Sequence, residues 1–234
     1  MHWLIHLQIL LLFAVPFVPA FIVGCFEKRA IRMFETGEMK VQTKYLQLMT
    51  AAALAHGFTL RCTGHHVKYK NTLFAALYLS ADRTILALIA DGSIGAFRQP
   101  KTLLMSRFKD GSIVITINDA GMIELDEMTH RYILINAGFD ELLAKHLALK
   151  NERIGPSLFP ATADWTAVDN LYKEKTDRIV ARGLARYTDA GHDFARYTPW
   201  GSFRATILFG IALTHRPATW LRQFRRKPGA MARS

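Results

Sequence analysis

Hydrophobic and polar positions divide this chain into an apolar start, a patterned middle and a basic end. From Trp3 to Phe26 there is no Lys, Arg, Asp or Glu. A helix needs about 20 apolar residues to cross a hydrocarbon layer of about 30 Å, so this run predicts an N-terminal transmembrane helix. Pro16 and Pro19 predict a kink near its middle. Trp3 suits an interfacial belt, and His2, His6 and Gln8 collect at the same end.

The middle is read from its periodicities. Residues 33–57 predict a helix, with Val41, Tyr45, Leu48, Ala52 and Ala55 at helical spacing and Gly57 as the stop. Strand signals follow at Phe58–His66, Leu73–Leu79, Thr84–Ile89, Leu103–Phe108, Ser112–Ile117 and Arg131–Ile135. Asp110-Gly111 between two of these runs marks a hairpin, because glycine supplies the positive φ that such a turn requires. Asp82, Asp91 and Asp110 read as turn residues. Together these runs predict an antiparallel meander of about five strands. Helices then return. Phe139–Lys150 places Phe139, Leu142, Leu143, Leu147 and Leu149 among charges, and Asp164–Thr188 places Trp165, Val168, Leu171, Ile179 and Leu184 likewise. The apolar run Ala205–Leu213 is too short to span a bilayer. It reads as a docking helix or an in-plane membrane segment.

Composition places the chain among globular proteins, half hydrophobic and one fifth charged. The middle is long enough for one domain with a real core. Two cysteines, one in the apolar run, rule out a disulfide framework. The net charge of +11 is unevenly placed: residues 201–234 carry seven Lys and Arg and no acid. A nucleic-acid-binding domain would carry its basic face on the folded body, so no specific nucleic acid is expected. Lys28, Arg29 and Arg32 follow the apolar run, and no Lys or Arg precedes it. The positive-inside rule then puts the bulk of the chain in the cytoplasm. A cleavable signal peptide would need a basic segment before the apolar run. Ile22-Val23-Gly24-Cys25 resembles a lipobox but has the same deficiency. In the tail, Trp220, Leu221 and Phe224 share a helical side with Arg222, Arg225, Arg226 and Lys227 around them. That is the pattern of a segment lying on an anionic leaflet.

Candidate chemistry is sparse. Cys62, His65 and His66 form the most metal-like cluster, but neighbouring histidines on a strand face opposite ways. Glu127 and His130 have the Glu-x-x-His spacing of carboxylate metal helices, with no second copy. Neither phosphate-binding glycine loops nor a nucleophile elbow occurs. The sequence therefore predicts an α+β protein in three parts. These are an anchor with a basic flank (1–32), a soluble α+β domain (33–200), and an apolar helix with a basic membrane-proximal tail (201–234). The expected partners are the lipid bilayer and its anionic headgroups, a protein partner being compatible with them. No cofactor is expected. The expected role is binding, sensing or scaffolding. The alternative is a membrane-attached, hydrolase-like enzyme using His65 and His66 or Glu127 and His130.

Overall fold

Strict alternation along apolar strands builds the architecture. In the computed structural model, which describes residues 17–26, 28–31, 34–38, 43–67, 72–94, 97–98, 100–119 and 124–215, every side chain of strand β4 (Leu73–Leu79) is buried. Leu73, Ala75, Leu77 and Leu79 point to one core, and Ala76 and Tyr78 to another. A strand buried on both faces requires cover on both. Helices α2 (Lys44–Ala55) and α3 (Phe139–Asn151) lie on one face, and α4 (Trp165–Ala181) on the other. The result is a three-layer α+β domain.

The described residues form an eight-stranded mixed sheet. Its main path is β2 (Phe34–Thr36), β3 (Thr59–His66), β4, β5 (Leu86–Ile94), β7 (Lys101–Arg107), β8 (Ile113–Ile117) and β9 (Thr129–Ile133), with β6 (Phe97–Arg98) paired to β5. From β3 to β8 the strands run as the antiparallel meander that alternation predicts. The last strand departs from it: β9 pairs with β8 in parallel, Ile113 opposite Thr129 and Ile117 opposite Ile133. A parallel neighbour needs a crossover rather than a hairpin, and the chain between Asn118 and Met128 provides it.

Three helical expectations are corrected. Among the described residues the predicted helix at 33–57 is confined to α2, Phe34–Thr36 is an edge strand, and Val41 lies outside the described residues. The buried face of α2 is Tyr45, Leu46 and Ala53, with Leu48 exposed. Thr43 starts it, accepting the Leu46 N–H and donating to buried Asp91. Asp91 is thus a β5 residue rather than a turn residue. The predicted helix at 164–188 ends at Ala181. Gly183, at φ +69°, turns the chain, and β10 (Ala185–Tyr187) follows. In α3 the inward position expected of Leu147 belongs to His146, which is fully buried while Leu147 is exposed.

A second, three-stranded sheet joins the two ends of the described chain. β1 (Arg29–Ala30) pairs antiparallel with β11 (Phe194–Tyr197), which pairs with β10. Helix α1 (Phe17–Phe26) precedes β1, and helix α5 (Pro199–His215) follows β11. Among the described residues no helix is long and apolar enough to cross a membrane. Helix α1 is the described part of the predicted span, and its first part, Trp3–Pro16, lies outside the described residues.

Candidate functional site

The two terminal helices form the surface that stands out. Helix α1 is apolar on every side, so it requires apolar surroundings all round. Part of that cover comes from α5. The Ser202 hydroxyl donates to the Phe21 carbonyl at 2.7 Å, and the Thr206 hydroxyl to the Ser202 carbonyl at 2.8 Å. Ala205 and Leu208 of α5 pack against the domain, on a cluster of Leu125, Ile179, Leu184, Ala185 and Tyr197. The run Ala205–Leu213 thus begins as a docking helix. Its close seat depends on Gly201, where an added Cβ would lie 1.8 Å from the Leu184 carbonyl oxygen. Gly201→Ala is expected to destabilise the protein by about 1–3 kcal/mol. Urea midpoints would measure this, and a variant within 0.5 kcal/mol (about the scatter of a neutral surface change) would refute the close contact.

The outer side of this helix pair is bare. Val18, Ile22, Val23 and Phe26 of α1 are exposed, as are Trp200, Phe203 and Ile207 of α5; Phe26 reaches 70% and Trp200 59%. The Trp200 and Phe203 rings stack at 5.5 Å. Apolar exposure gathered on two packed helices is the character of an interaction surface. Among the described side chains of the pair, Arg204 of α5 is the one charged group, and it reaches Glu127 on the domain at 3.7 Å.

Of the predicted basic positions, Lys28 is exposed beside this surface, and Arg29 sits in β1 opposite Ala195. Arg32, Arg222, Arg225, Arg226 and Lys227 lie outside the described residues.

The candidate catalytic groups do not assemble. His65 lies 3.7 Å from Glu35, its partner across the β2–β3 ladder, and His66 packs edge-on to the Phe34 ring. Burial pushes the Cys62 thiol up to about 11, so it stays protonated and a poor ligand. Glu127 is exposed in a turn and pairs with Arg182 and Arg204. His130 stands on β9, its pKa lowered by burial and by Arg153. Four strands separate β3 from β9. At about 4.8 Å per strand spacing, the two pairs are roughly 24 Å apart. Among the described residues no three His, Cys, Asp or Glu converge as a metal site would require. No protein-family model, curated protein or solved structure matches the chain.

Two buried polar clusters escaped the sequence reading. In the first, His146 Nε2 lies 2.9 Å from the Ser106 hydroxyl and Nδ1 lies 2.9 Å from the Thr116 hydroxyl. Ser106 spends its one proton on the Thr84 carbonyl. His146 must therefore donate from Nε2 and accept at Nδ1 from Thr116. A serine that accepts from its histidine is the reverse of an activated nucleophile, and both side chains are closed to solvent. The second cluster joins the crossover to α4. Glu124 accepts from Lys175 at 2.6 Å and from Arg131 at 3.3 Å. Asp126 accepts from Arg178 Nε and Nη2 and from the Thr129 hydroxyl. Burial raises the Asp126 pKa, but Arg178 and Thr129 outweigh it and hold the carboxyl below its usual range. Burial pulls the Lys175 ammonium down against the attraction of Glu124. These pairs fasten α4 to the crossover beside α5.

Proposed function

We propose that this protein is a membrane-attached binding or scaffold domain. The apolar N-terminal run holds it in the bilayer, and the basic tail presses it onto anionic headgroups of the cytoplasmic leaflet. One observation carries the reading. The uncharged run Trp3–Phe26 ends in α1, which leaves apolar side chains exposed, as does the helix α5 packed against it. Water would leave that combined face unsatisfied, whereas lipid acyl chains would cover it at no polar cost. A binding role is favoured over hydrolysis because His65 and His66 stand across the sheet from Glu127 and His130, and because Ser106 and His146 are sealed.

Vesicle flotation tests the attachment. The purified full chain should float with phosphatidylcholine vesicles, with or without anionic lipid, and should stay bound in high salt. Recovery in the soluble fraction would defeat the proposal. Orientation is tested on sealed, right-side-out cells, where external protease should leave the domain intact; its digestion would reverse the assigned side. For the tail, each basic residue near an anionic surface contributes about 1 kcal/mol. Vesicles containing phosphatidylglycerol should slow tryptic cleavage at Arg222–Lys227, and salt should restore the rate. Equal cleavage with and without anionic lipid would remove the tail from the account.

A further inference from the structure

We infer that the membrane holds this domain through two helices: α1 and α5 bury their outer sides together in the acyl layer of the leaflet nearest the domain. This rests on the membrane-attached reading and adds to it. A single N-terminal anchor would leave the domain free to swing, whereas a helix pair fixed to the domain sets its pose on the bilayer.

Four observations point to lipid as the occupant of α5 as well as of α1. The first is exposure on both members of a packed pair. Trp200, Phe203 and Ile207 of α5 are exposed, as are Val18, Ile22, Val23 and Phe26 of α1, and the latter belong to the end of an uncharged run that reaches back to Trp3. The second is the disposal of charge. Arg204 is the sole Lys, Arg, Asp or Glu in α5, and its guanidinium goes to Glu127 on the domain rather than to the outer side. The third is the disposal of polar groups. The hydroxyls of Ser202 and Thr206 are both spent on helix carbonyls, at Phe21 and Ser202, as an apolar medium demands. The fourth is rigidity. The β1–β11 pairing holds the end of α1 beside the start of α5, and Gly201 lets α5 touch the Leu184 backbone. The stacked Trp200 and Phe203 rings supply the aromatic surface that favours the headgroup boundary.

Spin labelling decides the matter. In the full chain carrying C25S and C62S, single cysteines would replace Val23, Ile207 or the fully solvent-exposed Ile154. Each variant would be labelled with a nitroxide and placed in vesicles of equal parts phosphatidylcholine and phosphatidylglycerol. Labels at 23 and 207 should both be relaxed by oxygen and lose relaxation by a water-soluble nickel chelate. The label at 154 should respond to the chelate. A lipid signature at 23 with a water signature at 207 would overturn the two-helix grip and leave a single anchor. Shielding of 207 from both reagents, with dipolar broadening between labels, would put a second copy of the chain on α5 and also overturn it. A water signature at 23 would bring down the membrane reading itself.

Discussion

Between pH 6.5 and 4.5 the protein should lose about 2 kcal/mol of stability through His146 alone. The ring is wholly enclosed between α3 and the sheet, and burial pulls its pKa down to about 3, with Lys150 one turn along opposing a positive charge further. The ordinary value, about 6.5, applies to the unfolded chain. Below that pH the unfolded state takes up a proton that the folded state refuses, so stability is full above pH 6.5 and falls steadily toward pH 3. Protonation would also force the Thr116 hydroxyl to turn from donor to acceptor at Nδ1. Carboxylates add little above pH 4.5, since Asp82 and Asp126 are held below their usual range and titrate lower still. Urea midpoints across this interval would measure the slope. His146→Gln should be less stable at pH 7 and markedly flatter down to pH 4.5. An unchanged slope in that variant would place the proton uptake elsewhere.

Replacing Asp126 with alanine should cost about 3 kcal/mol or more. Its side chain is only 2% exposed, and it takes two nitrogens of Arg178 and the Thr129 hydroxyl at the point where the crossover meets α4. Without it Arg178, itself largely covered, keeps its desolvation cost and loses its counter-charge. The neighbouring pair is the control. Glu127 is 70% exposed although it too meets two arginines, so Glu127→Ala should change stability by less than about 1 kcal/mol. Chemical denaturation of both variants provides the comparison. Equal losses would mean that burial does not distinguish the two sites.

The meander was legible because its strands are apolar runs of strand length and its turns are chemically marked. Asp110-Gly111 sits where Gly111 takes φ +80°, and Asp82 closes its turn by accepting from Ser80 and Thr84. The parallel pairing of β9 was not legible. Arg131–Ile133 has the same local pattern in either direction, and only the path of the crossover decides. Phe34–Thr36 is too short to display a period, and its place at the sheet edge depends on Trp165, which stacks on Phe34 at 4.9 Å from across the chain. The end of the helix after Asp164 is obscured in the sequence because Leu184 continues its apolar series beyond Gly183. His146 was hidden by polarity. Its partners, Ser106 and Thr116, lie on strands 40 and 30 residues away, so no local pattern reports them. The outward side of α1 was hidden for the opposite reason: in a run that is apolar throughout, no contrast identifies the face that α5 leaves open.

Lipid retention of the full chain is the most direct test of the account. Membranes from cells producing the protein would be washed with alkaline carbonate, which strips surface-bound proteins and leaves those seated in the hydrocarbon. The apolar run and the bare side of the α1–α5 pair predict that the protein stays entirely in the membrane pellet. Release of the intact chain into the wash would contradict an anchor formed by these helices.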